Sequence, residues 1–117
     1  MIPFGTHIVT LYHKENNAIT RHILVNCSWR STNERSLQNG ATVITERTTC
    51  RIPPQYTCPV PGDVLVLGVV EEDAANDIAL VRLMEKYREQ GYRAFCVESC
   101  AHNADAAPLP HYAAVGA

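Results

Sequence analysis

Along most of this chain the apolar positions recur at the spacing of two that a half-buried strand requires. Thr6–Tyr12 (THIVTLY) is rich in β-branched and aromatic residues. It stops at the polar cluster Lys14-Glu15-Asn16-Asn17, which predicts a strand and a turn. Ile19–Trp29 is again β-branched and apolar through Ile23-Leu24-Val25, so the two segments should pair as an antiparallel hairpin. Ser31–Gly40 is polar, closes on the turn pair Asn39-Gly40, and reads as an exposed loop. The Thr-rich run Ala41–Ile52 favours a strand over a helix. On it Val43, Thr45, Arg47, Thr49 and Arg51 share one face, while Ile44, Glu46, Thr48, Cys50 and Ile52 share the other. Pro53-Pro54 ends that strand, and Pro59, Pro61 and Gly62 keep the following residues extended or turned. Asp63–Val70 is the most apolar run and is short enough for a strand buried on both faces.

One segment changes period. Leu80, Leu83, Met84 and Tyr87 fall at i, i+3, i+4 and i+7, with Ile78 nearby, which predicts a single helix over about 73–90. Asp73 or Asn76 can cap its start, and Gly91 supplies a left-handed stop. Tyr92–Glu98 returns to strand character, Cys100–Ala107 is a polar link, and Leu109–Val115 forms a short last strand. Four strands, one helix and two strands do not alternate as a parallel βαβ architecture would. The expected fold is therefore mainly β: a small antiparallel β-barrel or sandwich with one inserted α-helix, residues 1–117 making a single domain. Val9, Leu11, Leu24, Leu65, Leu67, Leu83 and Tyr87 should lie in its core.

Composition narrows the function classes. The chain has 117 residues, 46% hydrophobic and 19% charged, enough apolar material for one core and too much for a disordered segment. Ten basic against twelve acidic side chains leave a net charge of −2, which disfavours a protein held to DNA by phosphate neutralisation. No apolar run is long enough to span a membrane as a helix. Met1–His7 has no basic segment followed by an apolar one, so no secretory leader is expected. Five cysteines, at 27, 50, 58, 96 and 100, are an odd number without tight spacing. They read as mostly buried thiols in a reducing compartment rather than a disulfide framework.

Candidate chemistry is sparse. Cys96-x3-Cys100-x-His102 would place two sulfurs one turn apart on a helix, but on a strand four residues span about 13 Å, too far for one zinc ion. No cysteine or histidine carries a signature of activation, and the six glycines are too scattered for a phosphate loop. No catalytic residue, cofactor, metal or small-molecule substrate is expected. Charge is less evenly spread. Residues 21–51 carry five arginines against two glutamates, a net of +3, whereas residues 63–77 carry five acids and no base, −5. Opposite charge on two parts of one chain suits head-to-tail self-association. Arg30, Arg35, Arg47 and Arg51 on one side, and Asp63, Glu71, Glu72 and Asp73 on the other, are the interface candidates. The connections Ser31–Gly40 and Pro53–Gly62 are candidate contact arms.

A set of landmarks in order also carries a resemblance. Thr6–Lys14, Cys27-Ser28-Trp29, Arg51-Ile52-Pro53, Gly62-Asp63-Val64-Leu65-Val66-Leu67-Gly68, Val97–Asn103 and His111–Gly116 resemble the strand signatures of small minor capsid proteins encoded in phage and prophage head–tail gene clusters. Tyr112 stands where that family usually has Trp. The resemblance implies a non-enzymatic virion structural protein, a head–tail connector or head-completion component working as a homo-oligomeric ring at the portal–tail junction. Its implied partners are further copies of itself and portal, capsid or tail proteins. Its implied location is the bacterial cytoplasm during assembly and then the virion. The alternative is a small β-barrel adaptor module that recognises peptide or nucleic acid.

Overall fold

A computed structural model describes residues 7–16, 18–103 and 111–117. Strands β1 (His7–Glu15), β2 (Ala18–Gln38), β3 (Ala41–Ile52) and β4 (Val64–Leu67) precede helix α1 (Asp77–Glu89), and β5 (Ala94–Asn103) and β6 (His111–Gly116) follow it. The strands close into an antiparallel barrel in the order β1-β2-β3-β6-β5-β4, with β4 pairing back onto β1. The fold is thus mainly β and antiparallel with one inserted helix, as the hydrophobic periodicity predicts, and of the two expected forms, barrel or sandwich, it is the closed barrel.

Alternation along β1 and β4 builds two cores from the two faces of one wall. Val9, Leu11 and Leu65 point into the barrel and meet Leu24, Cys27, Cys50, Ile52, Phe95, Val97 and Ala114. Tyr12, Val64 and Val66 point outward and are covered by Leu80 and Leu83 of α1, with Val70, Ala74 and Ala94. The helix therefore covers the outside of the barrel, and β4 is buried on both sides. Leu67 and Tyr87, also expected in the core, pack at its margin and are partly buried.

Local chemistry sets the ends of the elements. Asn76 caps α1 by accepting a hydrogen bond from the Ala79 amide at 2.8 Å, so the helix starts later than 73. Ile78 is 67% exposed, on the face of the helix away from the barrel. The most apolar run is a strand only over Val64–Leu67; Gly68 takes φ +110° and turns Val69 outward before Val70 returns to the core. An extra residue in β2 between its partners for His7 and Val9 makes a bulge, with Asn26 at φ +60°. A second irregularity lies between Val97 and Ser99 of β5.

Two connections differ from the sequence reading. Ser31–Gln38 is no loop: it continues β2 and pairs residue by residue with β3 from Ser31↔Thr48 to Gln38↔Ala41. The two-residue turn Asn39-Gly40, both at positive φ, suits the twist of an antiparallel ribbon, and polar threonines and serines pair across it as well as apolar residues do. The second difference concerns the polar link at Cys100, because β5 runs on to Asn103. Residues 104–107 of that link, and Leu109 and Pro110 at the start of the expected last strand, lie outside the described residues. Among the described residues, β3 before Thr48 pairs only with β2, and β2 beyond Cys27 only with β3. The result is a two-stranded ribbon extending from the barrel. The longest axis of the molecule is 47 Å, and its radius of gyration of 14.7 Å exceeds the ~13 Å of a compact chain this long.

Candidate interaction surface

The ribbon has two faces of different chemistry. Residues opposite one another in an antiparallel pair share a face, so Arg30 with Thr49, Thr32 with Arg47, and Ser28 with Arg51 all point away from the barrel interior. Three candidate arginines thus share the outer face. Arg30 and Arg51 are exposed and border a groove of about 410 Å³ with Ser28, Trp29 and Thr49. Arg47 is held by Glu98 of β5 at 2.8 Å. Arg35 lies on the other face, between Leu37 and its cross-strand partner Ile44. There Leu37 is 78% and Ile44 61% exposed, on the same ribbon face that becomes the barrel interior at Cys50.

At the root of the ribbon this inner face meets the end of α1 and the start of β5. Trp29, Glu46 and Thr48 from the ribbon and Arg88, Tyr92, Arg93 and Ala94 from the opposite side line a cleft of about 380 Å³. Arg88 is fixed by two hydrogen bonds to the Ala94 carbonyl, at 2.9 and 2.7 Å. Thr48 and Ser31 share a hydroxyl contact at 3.1 Å. The Trp29 ring stands edge-on to Phe95 with centroids 5.2 Å apart, and its Nε1–H is buried without an acceptor among the described residues. Such an orphaned donor costs roughly 1–3 kcal/mol until something accepts from it. The cleft itself is of mixed charge, with Arg88, Arg93 and Glu46 in its lining beside Ala117.

The acidic candidates behave differently from their sum in the sequence. Asp63 is a correction: it is fully buried and offers no charge to a neighbour. Its carboxylate accepts from the Lys14 amide at 3.0 Å and the Val60 amide at 3.0 Å, and contacts His13 Nδ1 at 2.6 Å. Burial of a carboxylate requires such partners, and these pin the entry of β4 to β1. Glu72 pairs with Lys86 at 2.8 Å and Asp73 with Arg21 at 2.9 Å, while Asp77 pairs with Lys14 at 2.8 Å. Glu71 alone of the four acidic candidates has no ion pair among the described residues and is exposed. The folded surface therefore presents the arginines of β2 and β3, while the acids of 63–77 are mostly neutralised within the chain.

The thiols are partitioned too. Cys27 and Cys50 are fully buried in the barrel, whereas Cys58, Cys96 and Cys100 are half-buried. Because of the irregularity in β5, Cys96 aligns with the outward-facing Val64 and Cys100 with the inward-facing Ala114, so the two do not share a face. Among the described residues no group of three or more His, Cys, Asp or Glu side chains converges on a possible metal position.

Sequence reading singled out neither Arg88 nor Arg93; Trp29 entered it only as the end of a strand segment and a landmark of the resemblance, and Tyr92 only as the start of a strand. The scattered aromatics and lone arginines have no common spacing, and only barrel closure brings them together. No helix among the described residues is long and apolar enough to cross a membrane. No family model, curated protein or solved structure matches the chain.

Proposed function

We propose that this chain is a non-catalytic structural connector. In that reading it is a minor capsid or head-completion component of phage or prophage origin that assembles with copies of itself, as a ring, at the portal–tail junction. The observation that carries the reading is the β2–β3 ribbon. A two-stranded ribbon is marginally stable in water by itself, and this one exposes Leu37 and Ile44, with Arg35 beside them, on one face and Arg30 on the other. Docking against a neighbouring protein would bury that apolar pair and supply the contacts that the chain's own barrel does not. Order and spacing of the strand landmarks add the phage-type assignment by resemblance. The buried polar groups support a structural role, since Asp63, His13 and Thr10 are occupied in bonds that hold strands together.

The decisive experiment deletes the coding sequence from its genetic element and examines particles by electron microscopy. Filled heads without tails, restored by the intact chain but not by one lacking residues 34–45, are expected. Normal tailed particles after deletion would refute the connector role. A second reading, an adaptor that binds an extended peptide, is favoured by the Trp29 cleft. It is tested by titrating peptides ending in a free carboxylate while following Trp29 fluorescence.

A further inference from the structure

Cys58 sits in the connection between β3 and β4, and Cys100 lies 42 residues later on β5 with its side chain turned inward. Their sulfurs are 3.3 Å apart. Closing to a disulfide needs a separation of about 2 Å, a movement of little more than 1 Å that rotation about the side-chain bonds of Cys58 can supply from a proline-flanked loop. Both residues are half-buried, so a small oxidant can reach the pair. The rest of the connection is tied down by single hydrogen bonds: Tyr56 Oη accepts from the Val25 amide at 3.1 Å, and the Gly62 amide donates to the Val97 carbonyl at 2.9 Å. Between those two ties, the thiol pair is the point where the connection meets β5.

We propose that Cys58 and Cys100 form a reversible disulfide that locks the 53–62 connection onto β5 when the protein meets an oxidising small-molecule disulfide. The exchange is ordered by the two environments. The exchange starts at Cys58, which lies on the proline-flanked connection, whereas Cys100 is turned toward the barrel interior and burial, with the Cys58 hydrogen bond, pushes its thiol up to about 12, making it the poorer nucleophile. The Cys58 thiolate displaces one small thiolate from the oxidant and forms a mixed disulfide. Cys100 then loses its proton to solvent and attacks the Cys58 sulfur, expelling the second small thiolate. Two protein thiols and one small disulfide become one internal disulfide and two small thiols, with two electrons passing to the oxidant. The step is a property of the single chain and is independent of what the chain docks with.

The barrel carries its own control. Cys27 Sγ donates to the Val25 carbonyl at 3.8 Å, and the neighbouring Cys27 thiol, with burial, pushes the Cys50 thiol well above its usual value. Both are fully buried, beyond the reach of an oxidant in the folded protein. The test incubates the full chain with oxidised glutathione at pH 7.5 and 9, quenches with acid, alkylates free thiols and maps the peptides. One Cys58–Cys100 linkage per chain is expected, forming faster at pH 9, with Cys27 and Cys50 alkylated only after unfolding. The linked form should melt at least ~5 °C above the reduced form, and dithiothreitol should abolish the difference. Cys100→Ser should stop at a stable glutathione adduct on Cys58, and Cys58→Ser should leave Cys100 unmodified. A persistent adduct on Cys58 in the unmutated chain would overturn the proposal, and so would linkage of Cys58 to Cys96 or to another chain. A linked form melting no higher than the reduced one would do the same. These readouts on the unmutated chain hold even if a serine variant fails to fold.

Discussion

Gly116 is set by contact rather than by a turn. A Cβ there would overlap the Cys96 carbonyl oxygen and the Phe95 ring, where β6 closes on the irregular part of β5. Gly116→Ala is expected to cost about 2 kcal/mol or more, read as a lower urea midpoint at unchanged slope. Asp63 is equally constrained, because removing its carboxylate strands two amides and His13 in the interior. Asp63→Ala should cost roughly 2–4 kcal/mol by the same measurement. Alkaline pH probes a third residue. Burial pushes the Tyr12 phenol from 10.0 up to about 12, and the Cys100 thiol rises from 9.0 to a similar value. Between the ordinary and raised values the unfolded chain has released these protons and the folded chain has not, so stability present below pH 9 is lost as pH climbs to about 12. The melting temperature should fall steadily across that interval. Tyr12→Phe, which also gives up the hydrogen bond to the Glu72 carbonyl, should flatten the part above pH 10.

The helix and the ribbon differ in what holds them. Helix α1 depends on the barrel wall, with Leu80 and Leu83 buried against Val64 and Val66. Leu83→Ala should cost about 2–5 kcal/mol and reduce the helical circular dichroism signal before the β signal. The ribbon beyond Thr48 receives pairing only from its own two strands among the described residues, and it packs little apolar surface. Replacing residues 34–45 with a two-residue turn between Asn33 and Glu46 should move the melting temperature by only a few degrees. It should abolish association with partners. A collapse of the barrel on that deletion would show the ribbon to be part of the core instead.

At the scale of the whole molecule, charge separates by location on the surface. Arg30 and Arg51 remain exposed on the outer face of the β2–β3 pair, Arg51 where β3 is part of the barrel wall, while the acids of 63–77 are mostly used within the chain. Self-association through charge would therefore draw on Glu71 or on acids outside that segment, and an acidic partner protein fits the exposed arginines more simply. Reversing Arg30 and Arg51 to Glu should weaken docking while leaving the melting temperature within a few degrees, since neither side chain is buried. Raising salt from about 0.05 to 0.5 M shortens the screening length from roughly 14 to 4 Å and should weaken the same contact. Sedimentation of the purified chain, alone and with any protein proposed to dock on it, across that salt range reads both effects.

Hydrophobic period, turn chemistry and capping residues are local properties, and they carried the element order, the helix with its Gly91 stop and Asn76 as one of two candidate caps, the Asn39-Gly40 turn and most of the core. Each follows from what one residue or its near neighbours can do. The extent of β2 was not local, because a polar strand and a polar loop have the same composition and only pairing with β3 distinguishes them. Nor was the fate of Asp63, whose sequence neighbours Gly62 and Val64 say nothing of His13, fifty positions away. Barrel closure decided which charges meet, which cysteines touch and which aromatics line the cleft. Those outcomes depend on strand register across long separations, and no spacing along the chain encodes the distance between residues that only the closed barrel brings together.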